Sequence, residues 1–297
     1  MTHEHPQHGH AHQHQHGNRP AHSHRPGEDD AGQAEILDLD AEVLAEHTAA
    51  ITAWLPLAAA PQQIVDLGSG TGAGTFALLD RFPEASVLAV DASPGHLLRL
   101  REKACALGVD NRVRTVQADL DADGWPDLGA PDLVWASASV HHLADPDRAL
   151  RQVRELLAPG GLFALVELSG FPRFLPDDAP ADRPGLEARC HAATDRLHAE
   201  HVPHRGADWG PVLTAAGFAL AGARTVTVDL DGAGRETVGR YALATLGRLR
   251  GAVAETLDAA DLAALDRLLD ADGPDSIARR GDLVVRTERQ VWAARRA

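Results

Sequence analysis

A glycine-rich turn between a short apolar strand and a helix is the feature that most limits how this chain can fold. The run Ile64-Val65-Asp66-Leu67 has the character of a short buried strand, and glycines occupy positions 68, 70, 72 and 74. Residues 75–79 continue with a helical pattern. Glycine permits conformations closed to other residues, so backbone N–H groups and the start of the helix can approach a ligand closely. The sequence therefore predicts a strand, a binding turn and a helix in succession.

The segments that follow alternate between strand and helix patterns. Strands are predicted over 87–90, 113–118, 132–136 and 162–167, and helices over 94–106 and 147–157. This alternation is typical of βαβ units, whose right-handed crossovers place helices on both faces of a parallel sheet. Ligands of such sheets bind at the carboxyl ends of the strands. The chain is therefore predicted to have an α/β, doubly wound fold.

Additional helical segments surround this predicted core. The domain is assigned to residues 34–297, with its core at about 60–170 and cover segments at about 34–58, 171–207 and 237–271. Single helices are predicted from Ile36 to Leu55 and from Leu186 to His201, and strands over 220–228 and 282–293. Loops and insertions over strand ends commonly carry specificity, so the cover segments are expected to contact a substrate.

Residues 1–33 form a polar tail that holds nine of the 17 histidines. The tail has too few apolar residues to offset the entropy of ordering, so it is predicted to be disordered. Histidine-rich tracts bind divalent metals, and we expect weak binding in vitro. A plain polar tail or an expression artefact is the alternative. The candidate ligands are His3, His5, His8, His10, His12, His14 and His16.

Charge and hydropathy exclude several classes of function. The formal net charge of −15 disfavours a nucleic-acid partner, because phosphate backbones are repelled. No run of about 18 apolar residues is present, and the first residues lack an apolar signal region, so neither a membrane span nor a secretory signal is expected. Cys105 and Cys190 lie far apart and outside any C-x-x-C motif. A cytoplasmic protein is expected.

An acidic residue follows the next predicted strand, about twenty positions after the turn. Asp91 is placed to accept hydrogen bonds from the hydroxyls of a ribose. Two cofactors fit this pattern, a nicotinamide dinucleotide and S-adenosylmethionine. The dinucleotide fingerprint expects glycine or alanine at position 73, where the chain has Ala73.

The segment from Asp66 to Gly72 resembles the D-L-G-x-G-x-G motif of class I S-adenosylmethionine-dependent methyltransferases. The resemblance covers about residues 60–168. His141-His142-Leu143-x-Asp145-Pro146, followed by Leu156-Leu157-Ala158-Pro159-Gly160-Gly161, is similar to the small-molecule, ubiquinone/menaquinone-type branch of that family. The resemblance implies a Rossmann-like, seven-stranded, mostly parallel sheet with an antiparallel last strand.

The resemblance also implies roles for individual residues. Three glycines would pass under the methionine moiety, Asp66 would hold the loop or meet the ammonium group, and Asp91 would bind the ribose. Asp119 would accept from the adenine amine, with Leu120 beside the ring. Each carboxylate has a simpler alternative: Asp66 as a brace, Asp91 as the N-cap of the helix from Pro94, and Asp119 as a loop residue. The predicted cofactor set is Asp66, Gly68, Ser69, Gly70, Gly72, Asp91, Ala92, Asp119, Leu120 and Ser137.

Residues on the acceptor side are less well defined by the sequence. His142 and then His141 are the candidate general bases, because histidine titrates near neutral pH, although both could instead pack or brace loops. A second cluster could form a metal site or a pocket wall. Four arginines could bind an anionic acceptor or balance local carboxylates. These residues are Cys190, His191, His198, His201 and His204, and Arg173, Arg183, Arg189 and Arg205.

The prediction is methyl transfer from S-adenosylmethionine to a small-molecule O-, N- or C-nucleophile. Trp135-Ala136-Ser137-Ala138 stands where base-amine methyltransferases of nucleic acids carry Asn/Asp-Pro-Pro-Tyr/Phe, and no Pro-Cys nucleophile is present. One alternative is an NAD(P)-dependent oxidoreductase, although Tyr241 and Lys103 form no evident catalytic pair. Another is a non-catalytic protein that binds metal and S-adenosylmethionine. The sequence leaves a homodimer open.

Overall fold

The fold is built on a seven-stranded sheet. The computed structural model describes residues 26–202 and 204–296. The strands of this sheet are β1 (Gln63–Leu67), β2 (Ser86–Asp91), β3 (Val113–Gln117), β4 (Leu133–Ser137), β5 (Leu162–Leu168), β6 (Phe218–Asp231) and β7 (Val284–Arg296).

Helices pack around the sheet and extend beyond it. They are α1 (Pro26–Val43), α2 (Ala45–Trp54), α3 (Ala73–Arg81), α4 (Pro94–Ala106), α5 (Pro146–Leu156), α6 (Leu186–His201), α7 (Trp209–Ala215), α8 (Glu236–Ala252) and α9 (Ala259–Leu269). Within the described ranges, no helix combines the length and apolar character needed to span a membrane.

The strand order is β3-β2-β1-β4-β5-β7-β6. The strands β1 to β5 pair in parallel, and β7 lies antiparallel between β5 and β6. This order confirms the predicted doubly wound sheet with an antiparallel last strand. The order reverses beside β1, so the carboxyl ends of β1, β2 and β4 surround one crevice.

Alternate residues of the strands form two hydrophobic clusters on opposite faces of the sheet. Val134 and Phe163 lie on the face that packs against Trp209, whereas Trp135 and Val291 lie on the other face. Burial on both faces explains why the central strands read as continuous apolar runs in the sequence.

A third hydrophobic cluster joins both ends of the described chain. Leu39 and Leu44 from the first helices pack with Cys190 of α6, Tyr241 of α8 and Leu265 of α9. The three predicted cover segments therefore share one core of their own. Ion pairs reinforce it, since the buried carboxylate of Asp261 binds arginines from the α6 region.

The first helices differ from their prediction. The single helix predicted from Ile36 to Leu55 is two helices, because the backbone at Leu44 leaves helical geometry (φ −101°, ψ 15°). Helix α1 also begins at Pro26, inside the segment assigned to the tail. Proline in the first turn suits a helix start, because its fixed φ is already helical. Residues 1–25, with the predicted metal-binding histidines, lie outside the described residues.

Candidate cofactor site

The glycine turn adopts backbone conformations that require glycine. Gly68, Gly70 and Gly72 have φ values of 67°, 53° and 99°. A Cβ atom at Gly68 would lie 2.4 Å from Cβ of Ser139, and one at Gly70 would lie 3.1 Å from Cδ1 of Leu37. Side chains larger than hydrogen would therefore strain the turn and fill the crevice above it.

Gly74 is a functional position that the sequence analysis missed. A Cβ atom there would lie 2.4 Å from Nε1 of Trp135, so glycine allows α3 to pack closely on β4. The regular spacing of glycines from 68 to 74 was the available signal. The comparison with the dinucleotide fingerprint considered position 73 alone and therefore gave Gly74 no role.

Asp66 lies at the centre of the crevice, 2% exposed, and its Oδ2 accepts a hydrogen bond of 2.7 Å from the hydroxyl of Thr75. Burial, and secondarily the nearby charge of Asp91, raise the pKa of Asp66 to about 7. Asp66 therefore braces the first turn of α3, as one of its predicted alternatives proposed, and also lines a cavity at the turn.

Asp91 connects the turn to the end of β2. Its Oδ2 accepts from the backbone N–H of Gly70 at 2.8 Å, and its Oδ1 accepts from that of Ser93 at 2.9 Å. Burial alone would raise the pKa of Asp91, but the hydrogen bond from His96 and these two N–H groups hold it below its usual value. The alternative that Asp91 caps α4 is wrong, because the hydroxyl of Ser93 accepts from the N–H of His96 and is the N-cap.

The remaining predicted cofactor residues lie at neighbouring strand ends. The N–H of Ala118 donates to the carbonyl of Asp91 at 3.1 Å, so the segments after β2 and β3 are adjacent. Asp119 accepts from the N–H of Asp121 at 2.9 Å, and Leu120 is buried. Ala92 directly follows β2, and Ser137 is the last residue of β4. The fold therefore brings the whole predicted set to one edge of the sheet.

A small cavity, the cofactor cavity, opens above the glycine turn. Its volume is about 100 Å³, and α1, α2, the turn and the end of β4 enclose it. The buried hydroxyl of Ser69 lines it and has no hydrogen-bond partner among the described residues. Buried polar groups are normally satisfied, so this hydroxyl fits a polar ligand that passes over the turn.

A second cavity, the large cavity, lies beyond the end of β5. It has a volume of about 680 Å³ and is bordered by α6, the loop after β5 and the strands β6 and β7. Arg289 lines the cofactor cavity and donates from Nη1 to the hydroxyl of Thr287 at 2.9 Å, while Thr287 lines the large cavity. The two cavities are therefore neighbours, with this contact between them.

The two predicted base candidates lie next to the cavities but line neither of them. His141 is buried, and its Nδ1 contacts Oε2 of Glu167 at the end of β5. The other oxygen of Glu167 accepts from the N–H of Val140 at 2.9 Å. His142 is exposed, and its ring centre is 4.1 Å from that of His141. The sequence analysis missed Glu167, which lies 26 positions from its histidine and carries no local signal.

The second predicted cluster divides between structural and cavity positions. Burial, with nearby Asp261 and Glu187, raises the pKa of Cys190 to about 11, and His191 lines the large cavity. Arg183 and Arg189 bind Asp261, whereas Arg173 and Arg205 line the large cavity. No group of three or more potential metal ligands occurs among the described side chains. The side chains of His198 and His201 fall outside that set.

The fold and the glycine turn are similar to those of class I methyltransferase domains, which use S-adenosylmethionine as cofactor. A family model described as "Methyltransferase domain" matches residues 65–163, the segment that carries the turn, Asp91 and Asp119. The solved structure of a Bacillus halodurans C-125 protein, described as a methyltransferase, shares the fold with a TM-score of 0.53 and 18% identity, over 84% of this chain and 98% of that one.

Curated relatives are similar over part of the chain. Demethylmenaquinone methyltransferase of Thermus thermophilus is 38% identical over 119 residues, which are 40% of this chain and 53% of the relative. Malonyl-[acyl-carrier protein] O-methyltransferase of Halorhodospira halophila is 35% identical over 60% of each chain. Trans-aconitate 2-methyltransferase of an Acidovorax species is 39% identical over 36% of this chain and 38% of the relative. The chain thus spans between 38% and 60% of the length of these relatives.

Proposed function

We propose that the protein transfers the methyl group of S-adenosylmethionine to a small-molecule acceptor bound in the large cavity. The observation that carries this proposal is the pair of neighbouring cavities, one above the glycine turn and one beyond β5, joined at Arg289 and Thr287. A volume of about 680 Å³ lies within the range of about 300–1,000 Å³ typical of small-molecule sites.

The residues of the cofactor site have separable tasks. When bound, S-adenosylmethionine supplies a methyl group already activated on its sulfonium sulfur. The glycine turn and Asp66 would hold the amino-acid portion, Asp91 the ribose, and Asp119 with Leu120 the adenine. Catalysis then depends mainly on alignment of the acceptor nucleophile with the methyl group and on exclusion of water.

The lining of the large cavity suits a polar acceptor of mixed character. Phe171 and Val202 offer apolar contact, and Arg173, Arg205 and His191 add cationic or titratable groups. The names of two relatives, trans-aconitate 2-methyltransferase and malonyl-[acyl-carrier protein] O-methyltransferase, provide the first acceptors to test. We propose a polar acceptor, because three arginines and three carboxylates, those of Asp195, Asp229 and Glu288, line this cavity.

An acceptor that loses a proton would need a general base, and we now place His141 before His142, the reverse of the order that the sequence suggested. Its Nδ1 contacts Glu167, which orients the ring, and its Nε2 has no hydrogen-bond partner among the described residues. Such a histidine–carboxylate pair is the usual arrangement of an oriented base. His142 stays a second candidate. The loop from Ser137 to His142 would have to bring either ring to the acceptor.

The test begins with titration of the full chain with S-adenosylhomocysteine in a calorimeter. We expect saturable one-site binding, weakened at least tenfold by Asp91→Ala, because the substitution removes both the ribose partner and the support of Gly70. Asp80→Ala, at an exposed position on α3, is the matched control and should bind normally. Transfer of labelled methyl groups to trans-aconitate and to a panel of small acids would then identify the acceptor.

Two results would contradict the proposal. Absence of S-adenosylhomocysteine binding, together with saturable NADH binding, would favour an oxidoreductase. Tight S-adenosylhomocysteine binding without methyl transfer to any small molecule in a cell extract would favour the non-catalytic alternative.

A further inference from the structure

Helix α1 closes the cofactor cavity from outside. Leu37, Asp40 and Ala41 line the cavity opposite the glycine turn. Sites for ligands of drug size usually measure about 300–1,000 Å³, several times the 100 Å³ enclosed here. With α1 in this position, the enclosed space is too small for a ligand of that size.

A first contact joins α1 to α4 and to the glycine turn. The carboxylate of Asp38 pairs with Lys103 and, at 2.5 Å, with Arg99 of α4. The ammonium of Lys103 also donates to the backbone carbonyl of Thr71 in the glycine turn at 3.1 Å. These groups are partly exposed, and exposed ion pairs contribute little free energy. This contact orients α1 but holds it weakly.

A second contact, which we name the latch, joins α1 to the opposite side of the crevice. Oδ1 of Asp40 accepts hydrogen bonds from the hydroxyl of Tyr241 at 2.5 Å and from Nη2 of Arg289 at 2.9 Å. Burial, and secondarily the charge of Asp40, raise the pKa of Tyr241 well above its ordinary value, so the phenol stays a donor. Tyr241 and Arg289 are 2% and 8% exposed, whereas a third of the Asp40 side chain is accessible.

The latch costs more to open than the Asp38 contact. Withdrawal of Asp40 leaves a buried phenol and a buried guanidinium without their carboxylate, and unpaired buried polar groups are expensive. Tyr241 and Arg289 belong to α8 and β7, which are fixed in the cover and the sheet, so the movable partner is α1.

We propose that α1 is a lid over the cofactor cavity and that the Asp40–Tyr241–Arg289 latch sets how fast the cofactor binds and leaves. The proposal rests on the proposed function only in that the ligand of this cavity is an S-adenosyl compound. A weaker latch raises the open fraction of the lid, and the rates of both association and dissociation then rise.

The kinetic test is stopped-flow measurement of S-adenosylhomocysteine binding, followed by tryptophan fluorescence, since Trp135 lines the cavity. Tyr241→Phe removes the hydroxyl alone and should raise both rate constants about tenfold, the equivalent of one lost hydrogen bond. Arg250→Ala breaks an exposed ion pair with Asp266 elsewhere on α8 and serves as the control, with rates unchanged.

The spectroscopic test uses the fact that Tyr241 is the only tyrosine in the chain. Incorporation of 3-fluorotyrosine gives a single ¹⁹F resonance from the latch itself. Asp40→Asn should shift this resonance in the ligand-free protein. It should also broaden the resonance when S-adenosylhomocysteine is added. The thermal unfolding midpoint of each variant shows whether the fold is intact, and Tyr241→Phe remains informative if Asp40→Asn unfolds.

The possible outcomes distinguish failure of the lid proposal from failure of the proposed function. Normal S-adenosylhomocysteine binding, with both rate constants of Tyr241→Phe within twofold of the original protein, would overturn the lid and leave the proposed function standing. Failure of the original protein to bind the ligand would contradict the proposed function and the lid together. An ¹⁹F resonance unmoved by Asp40→Asn would show that the latch does not form in solution.

Discussion

Asp66 shows how the crevice combines a structural and a binding task in one residue. Its carboxyl group is buried, braces Thr75 and lines the cofactor cavity. With a pKa of about 7, it is partly protonated at neutral pH. A cationic group bound in the cavity would favour the ionised form, so ligand binding and loss of a proton are coupled at this residue.

The coupling predicts that S-adenosylhomocysteine binds more tightly as pH rises from 6 to 8. At pH 6 Asp66 must lose its proton before it can pair with the ligand's ammonium group, whereas at pH 8 it is already ionised. We expect about a fivefold to tenfold gain in affinity, roughly one power of ten per pH unit below the pKa. Calorimetry in buffers of different ionisation enthalpy measures the released proton. Asp66→Asn should abolish both effects, and a pH dependence that survives this substitution would exclude Asp66 as its source.

The stability of the ligand-free protein should follow the opposite trend. The pKa of Asp66 is raised in the folded state, from about 3.8 to about 7, so the folded state binds more protons than the unfolded state between these values. The stabilisation of the folded state that comes from Asp66 is therefore fully present below pH 3.8 and is lost as pH rises through 7. Urea unfolding between pH 6 and 8 should show this loss, and Asp66→Asn should flatten it.

At the scale of elements, the cover helices are held by a buried carboxylate that serves two neighbours. Oδ1 and Oδ2 of Asp261, on α9, accept from Arg189 at 2.8 and 2.6 Å, and Oδ1 also accepts from Nε of Arg183 at 2.7 Å. Asp258 caps the same helix through the N–H of Asp261 at 2.8 Å. Arg183 and Arg189 were candidate ligands of an anionic acceptor in the sequence analysis. In the structure they have a structural role.

Asp261→Ala is expected to destabilise the fold without loss of the cofactor site. Removal of Asp261 leaves Arg189 without its carboxylate and Arg183 with Asp258 alone, and we expect the free energy of unfolding to fall by about 2–3 kcal/mol in urea denaturation. Affinity for S-adenosylhomocysteine should stay within about threefold, because the partners of Asp261, Arg183 and Arg189, do not line the cofactor cavity. Arg250→Ala breaks an exposed pair between α8 and α9 and should cost under about 1 kcal/mol. Equal losses in the two variants would contradict this account.

Local patterns were sufficient to predict most elements and the cofactor edge of the site. The boundaries of α4 and α6 agree with the sequence prediction, since proline and capping residues mark the first and apolar spacing the second. Contacts between residues far apart in the sequence have no such local pattern. Glu167 with His141 and Asp40 with Tyr241 are 26 and 201 positions apart, and neither residue signals its partner. The break at Leu44 was missed because apolar spacing continues through it.

At the scale of the whole molecule, the histidine-rich tail leads directly into the helix that closes the cofactor cavity. The contacts described above for α1 come from Leu37, Asp38, Leu39 and Asp40. We therefore expect a variant without residues 1–25 to bind S-adenosylhomocysteine within twofold of the full chain. The same deletion should abolish zinc binding in calorimetry. Zinc binding that persists would place the metal in residues 26–297, and a large loss of ligand affinity would assign the tail a part in the lid.

The position of β7 governs the order in which the sheet can be completed during synthesis. β7 hydrogen-bonds β5 on one side and β6 on the other, so β6 has no neighbour in the sheet until residues 284–296 have emerged. The five parallel strands can assemble on a nascent chain, while β6 waits for the last strand. A ribosome that stops early, or a protease that removes β7, would therefore release a chain with two open strand edges and a strong tendency to aggregate.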